Sequence, residues 1–225
     1  MFKNFQPDML IFQVLGFYIT IVIHYAALAY LAKKQGDLSD YTEERNTLNP
    51  IVHTDLIGTI VMPAVSFTFG LPLLLGWGKA YFPNISFFKD AGKSIKIIYG
   101  GATIISFVAG IVSIFGAALC AVLTAGITEP SFLSQAFKFF QSAGMTLFLL
   151  SVFWLLPFPG SAGWFLLIHS IKSEYAEKLE ANAGYFQIGL LLLLLVGALG
   201  FIFTPFMALL NLIYSTFVSI LMNFV

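Results

Sequence analysis

Charge is the scarcest ingredient of this sequence. Only 10% of its 225 residues are Asp, Glu, Lys or Arg, against about 25% in a soluble globular domain. A chain this poor in charge cannot cover a water-facing surface, which excludes a soluble fold and makes it an integral membrane protein. A basic excess is lacking as well: eleven Lys and Arg balance eleven Asp and Glu. Nucleic-acid binding requires a basic footprint, so nucleic acid is excluded as a partner. Cysteine occurs once, as Cys120 in the apolar run "FGAALCAVLTAG". A lone cysteine can form neither an intramolecular disulfide nor a cysteine metal cluster; it reads as a small packing residue and says nothing about compartment. The amino terminus "MFKNFQPDML" has one lysine, and no small-residue cleavage site follows the first apolar run. Residues 9–32 therefore read as a retained helix, not a signal peptide.

What the chain has instead is apolar length. Hydrophobic residues make up 59% of it, with a mean hydropathy of +0.90. A membrane helix needs about 20 mostly apolar residues, and six stretches meet or approach that: 9–32, 54–75, 95–125, 142–157, 184–203 and 206–223. The expected fold is an all-α polytopic bundle forming a single membrane domain over residues 1–225. The fourth stretch is short and runs into "PFPG", Pro157 to Gly160, where a helix cannot continue. Non-helical backbone at membrane depth is tolerated only inside protein or beside a polar cavity, which marks Pro157–Gly163 as a broken segment of interest.

The connections differ in kind. Residues 33–50 are polar and read as a solvated loop. Residues 76–94, "GWGKAYFPNISFFKDAGKS", mix aromatic and polar residues and suggest an interfacial loop or short hairpin. Residues 129–141 begin at Pro130 and carry phenylalanines at helical spacing, the pattern of an amphipathic helix lying in the interface. Residues 170–183 form a charged helix with Glu174 and Lys178 at i,i+4. If all six stretches span, the lysine distribution places the amino terminus in the cytoplasm. Ala102, Ser106 and Gly110 repeat every fourth residue, as do Ala109, Ser113, Ala117 and Ala121, so helix backbones can approach closely there. The packed centre of one bundle and an interface with a partner both account for that stripe.

Residues 45–63, "RNTLNPIVHTDLIGTIVMP", resemble the R-L-T-L-N-P-x-x-H-I-D-P-x-G-T signature of the short bacterial site-2 proteases, which are intramembrane zinc metalloproteases. In that family the preceding helix carries H-E-x-x-H-A and then a Gly-Asp pair, as Gly36-Asp37 stands here. The family's G-W-A-K-P-V-P-V-N resembles "GWGKAYFPN" at 76–84, its A-G-P-x-x-N stands at "YGGATI", 99–104, and its N-L-L-P-I-P-P-L-D-G at "WLLPFPGSAGW", 154–164.

The resemblance implies a zinc site, and the residues depart from it. Histidines at i and i+4 share a helix face, and the glutamate beside them takes the proton of zinc-bound water. A distant aspartate completes the family's ligand set. Here the first histidine is His24, the glutamate position holds Tyr25, the second histidine position Leu28, the aspartate position Ala162, and the supporting asparagine position Ile104. A phenol, with an ordinary pKa of about 10, is no base near neutral pH. One ligand of three builds no tetrahedral zinc site, so no metal or other cofactor and no catalysis are expected. A substitute site from His24, His53 and Asp55 has no recognisable spacing; hydrogen bonding that fastens the loop is the reading preferred for His53 and Asp55, and a place near the helix–water boundary for His169. His24 itself reads as a buried neutral remnant, with residual metal or proton chemistry as the rival.

Three functions follow. The first is a binding or scaffold subunit in the bacterial inner membrane, contacting another membrane protein's transmembrane segment through Trp77, Lys79, Tyr81, Asn84, Pro157, Pro159 and Gly163. The second is an active intramembrane protease with an atypical metal site. The third, a transporter component, lacks the internal inverted repeat and paired broken helices of that class.

Overall fold

The computed structural model describes residues 7–68, 74–125 and 131–224. They form an all-α polytopic membrane protein, with no strand among the described residues. Helix α1, Pro7–Gln35, starts on a proline, whose missing N–H is no loss in a first turn. It ends at Gly36, in the left-handed region at φ 108°. Gly36 N–H donates to the Lys33 carbonyl (3.1 Å) and Asp37 N–H to that of Ala32 (3.0 Å), the paired bonds that close a helix on a glycine. Short helices α2, Asp40–Arg45, and α3, Pro50–His53, precede a π-helix, Leu56–Val61, which runs into α4, Met62–Thr68. Helix α5 is Ala91–Leu123, α6 Phe132–Leu155, α7 Ala162–Ile168, α8 Ser173–Ala181, α9 Ala183–Leu195 and α10 Leu199–Met222.

Helices α1, α5 and α6 pack on one another and form the centre, with α10 along α5. Glycines bring the three backbones together. A Cβ on Gly16 would lie 2.9 Å from Ala143 Cα, one on Gly110 2.9 Å from Phe148 N, and one on Gly144 3.0 Å from Ile114 N. Ala102 and Ser106 are fully buried on the same face as Gly110. From the second small-residue row, Ser113 donates to the Phe140 carbonyl across α5 and α6 (2.9 Å). Dispersion and such hydrogen bonds, not hydrophobicity, hold helices together where lipid is equally apolar.

Among the described residues, four helices are long and apolar enough to cross a membrane: Met9–Gln35, Ala91–Leu123, Phe132–Leu155 and Leu199–Met222. Four of the six expected stretches are divided differently in the structure. Among the described residues of stretch 54–75, helix covers 56–68, and from Leu74 the chain is extended, its backbone bonded to other segments. The interfacial helix of 129–141 and the span of 142–157 are one helix, α6, started by Ser131, whose hydroxyl accepts from Ser134 N–H in a reciprocal cap. Pro130 lies outside the described residues. The break assigned between 203 and 206 falls instead at Gly197 (φ 70°), and Pro205 sits inside α10. Lys178 does pair with Glu174, at 2.7 Å on the surface of α8. The chain leaves helix between Leu155 and Ala162, at the broken segment.

Candidate functional site

Residues 74–84 form an extended strap across the middle of α1, held along its length by bonds from separate parts of the chain. The N–H of Leu75 donates to Ser66 Oγ (3.0 Å), that of Trp77 to the Gly58 carbonyl (3.2 Å), and that of Lys79 to the His53 carbonyl (2.8 Å). Its carbonyls accept in turn: Gly76 from Trp154 Nε1 (3.3 Å), Trp77 from Thr59 Oγ1 (3.0 Å), Lys79 from Arg45 Nη1 (3.2 Å), Ala80 from the Tyr41 hydroxyl (3.0 Å) and Tyr81 from the Tyr99 hydroxyl (2.7 Å). Such an accounting is what buried backbone requires. Glycines let the strap lie this close. A Cβ on Gly78 would meet the Tyr25 ring at 2.7 Å, and one on Gly76 would collide with the Gly58 carbonyl oxygen.

The Gly-Asp pair anchors the strap's far end. Asp37 is fully buried and accepts from Ser39 N–H (3.1 Å), Thr42 Oγ1 (2.7 Å) and Asn84 N–H (2.8 Å). Burial pushes this carboxyl up, but those donors outweigh it and hold it below the usual carboxylate range. Thr42 Oγ1 also meets the Tyr81 hydroxyl at 2.6 Å. Burial raises the Tyr81 phenol above its ordinary value despite that bond. His53 is buried with Nε2 donating to the Thr47 carbonyl (2.8 Å). Burial first, and the Arg45 charge with it, hold this imidazole below its ordinary pKa although the Thr47 bond works the other way. Asp55 caps the π-helix through Gly58 N–H (2.6 Å).

Beneath the strap lies a cavity of about 380 Å³. Helix α1 contributes His24, Tyr25 and Leu28, the strap Trp77 and Tyr81, α6 Trp154, the broken segment Pro159, and α7 Ala162. Positions 24, 25, 28 and 162, separated by up to 138 residues in the chain, therefore share one chamber. His24 is 3% exposed and lies over the Trp154 ring, centroids 3.9 Å apart. Its Nδ1 is 3.1 Å from Ser106 Oγ, which donates to the Ala102 carbonyl (2.9 Å). With the hydroxyl proton committed to that carbonyl, the Nδ1–H donates to Ser106. The ring is thus held at Nδ1 by a hydroxyl and on its face by an indole, while Nε2 makes no hydrogen bond among the described residues.

Other nominated residues stand elsewhere. Ile104 is 64% exposed on α5 and does not face the cavity; the polar group on that helix that meets His24 is Ser106, two residues on. Lys79 is exposed, and Asn84 caps a short 3-10 turn. Pro157 lies in a groove against α9, and Gly163 packs on the Leu155 carbonyl. His53 and Asp55 do not line the cavity, and His169 Nδ1 donates to the Phe165 carbonyl (2.9 Å) at the end of α7. The sequence reading missed Trp154 and Tyr99. A tryptophan just ahead of the Pro-Gly break, and a tyrosine three residues before Ala102 on the small-residue face, were the available signals.

A resident zinc would need three protein ligands beside an open position. Among the described residues no three His, Cys, Asp or Glu come together, and His24 is the only such side chain lining the cavity. The donor set here does not fit zinc.

The Bacillus subtilis (strain 168) protein named "Putative zinc metalloprotease YwhC" is 26% identical to this chain over 192 residues, 82% of this chain and 80% of that protein. No family model and no solved structure matches. The likeness agrees in direction with the motif resemblance and suggests a site-2-protease-like family.

Proposed function

We propose that this chain is a non-catalytic, site-2-protease-like protein of a bacterial cytoplasmic membrane that holds a segment of another membrane protein beneath the strap. The observation that supports it is the composition of the 380 Å³ cavity: nine aromatic side chains, one already bonded histidine, and no carboxylate. Such a lining offers area and shape to an apolar segment and no carboxylate to activate water. Tyr25 stands where a general base would be needed, with its ring against Gly78.

The test joins metal content to contact mapping. Protein extracted gently from native membranes should carry well below one zinc per chain. A photoreactive phenylalanine at Phe82 or Phe158, both lining the cavity, should join one other membrane protein; the same probe at Ile104 should not. Equal labelling from all three positions, or a protein that extracts alone, would remove the scaffold reading. Stoichiometric zinc with peptide cleavage would establish the second reading, an active protease with an atypical site, which the similarity to a named metalloprotease favours.

A further inference from the structure

A second cavity, of about 110 Å³, lies between α1, α6 and α10. It is well removed from the first: Gln13 on its wall precedes His24 by eleven residues, about 16 Å along a helix. Its polar lining is Gln13, Gln141, Ser142, Asn211 and Tyr214, with Thr146. Ser142 is 6% exposed, and its hydroxyl has no hydrogen-bond partner. Among the described residues the half-buried amides of Gln13 and Gln141, the exposed amide of Asn211 and the half-buried Tyr214 hydroxyl make no hydrogen bond within the chain. Thr146 is spent on the Ser142 carbonyl (2.8 Å).

Unspent amides are expensive in a bilayer, where no solvent satisfies them. Each side-chain amide carries two donors and an acceptor, and the hydroxyls carry both roles. The lining has no charge, so it offers nothing specific to a phosphate or an ammonium. Its remaining walls are Met9, Leu74, Ile114, Met145 and Leu210, fit for alkyl carbons. Depth adds a constraint. The apolar span of α1 has 27 residues, about 40 Å, against a hydrocarbon core of about 30 Å. Centred on the core, it overhangs by about 5 Å at each end. Gln13, four residues into that span, then sits at the edge of the core, where lipid ester groups lie, while Gln141 and Asn211, nine and twelve residues into α6 and α10, extend the polar lining deeper.

We propose that this cavity is a binding site for an uncharged hydroxyl- and ester-bearing group, the glycerol portion of a membrane lipid. The amides of α1, α6 and α10 hold its oxygens, and the apolar walls take the first carbons of its chains. The site fastens α10, the least buried of the long helices, to the bundle through a lipid.

The experiment uses the full chain in nanodiscs containing a diacylglycerol with a photoreactive group close to its ester. Adducts should concentrate on residues 141–146 and 207–214, at least severalfold above those on the outer face of α5 at Val108 and Val112, both exposed. The double variant Gln141→Leu/Asn211→Leu should lower these adducts about fivefold, in line with losing neutral hydrogen bonds, while eluting from size exclusion like the parent. Unlabelled diacylglycerol should compete; competition by free glycerol at equal concentration would reassign the site to a soluble polyol and overturn the lipid. Labelling no higher than on α5, or unchanged in the double variant, would mean that only water fills the cavity. Because its variants leave the first cavity untouched, failure here is separable from failure of the scaffold reading.

Discussion

Replacing Gly76 by alanine is the sharpest test of the strap. The added Cβ would collide with the Gly58 carbonyl oxygen and approach Phe17 Cζ to 2.8 Å. The first obstacle is backbone of the π-helix and cannot swing away, so the strap itself must move. Overpacking of this kind costs about 1–3 kcal/mol. Displacement also strains two bonds, Trp77 N–H to Gly58 O at 3.2 Å and Trp154 Nε1 to Gly76 O at 3.3 Å, each contributing about 0.5–1.5 kcal/mol. Both are long, so the lower part of the sum applies, about 2–4 kcal/mol. For a chain of this size that lowers the midpoint of thermal unfolding by about 5–15 °C. The assay is thermal unfolding in detergent, read by loss of the monodisperse size-exclusion peak, with trypsin cleavage at the exposed Lys79 as a local probe. Gly189→Ala is the control, since nothing lies within 4 Å of a Cβ there. If Gly76→Ala unfolds with Gly189→Ala and resists trypsin equally, the close seating of the strap is wrong.

Asp37→Ala should destabilise by about 3 kcal/mol, because a buried acceptor of three hydrogen bonds is lost and its donors are stranded; thermal unfolding at neutral pH measures it. His53 is held below its ordinary pKa of about 6.5, so its contribution is full above that pH. It declines as pH falls below 6.5 and the unfolded chain takes up the proton first. The parent should therefore lose more stability between pH 7.5 and 5.5 than His53→Gln, and parallel losses would exclude this role. Tyr25→Glu/Leu28→His/Ala162→Asp, at three positions of one cavity, should gain about one zinc per chain by elemental analysis. Lys178→Ala should shift stability by less than about 0.5 kcal/mol, since its ion pair with Glu174 is exposed.

Much of this architecture could be read from residue order. Apolar length announces α1, α5 and α10, and Pro157 to Gly160 announces the break, because both signals are local. The gathering of His24, Tyr25, Leu28 and Ala162 came from motif resemblance, since nothing local ties residue 162 to residue 24. The union of 129–141 with 142–157 was hidden because an interfacial helix and a spanning one share the same period. The division between 184–203 and 206–223 stands elsewhere in the structure: Pro205 lies inside α10, a place a membrane helix tolerates, and Gly197, with its positive φ, marks the end of the preceding helix. Ile104 was two residues from the group that matters. Without knowledge of which face of α5 meets α1, an offset of two moves a side chain from the core to lipid, and Ser106 was read as packing alone. The strap's irregular backbone was beyond reach, for its bonds join residues up to 78 positions apart.

The pairing of His24 with Ser106 also sets a clock on biogenesis. The two residues are separated by 82 positions, which a ribosome covers in about 4–16 s at 5–20 residues per second. Through that interval the first helix must wait in the bilayer or the insertion machinery with its imidazole unmatched. A nascent chain stalled before α5 would therefore expose a polar defect on α1, giving membrane quality control a signal that vanishes only when the later helices arrive.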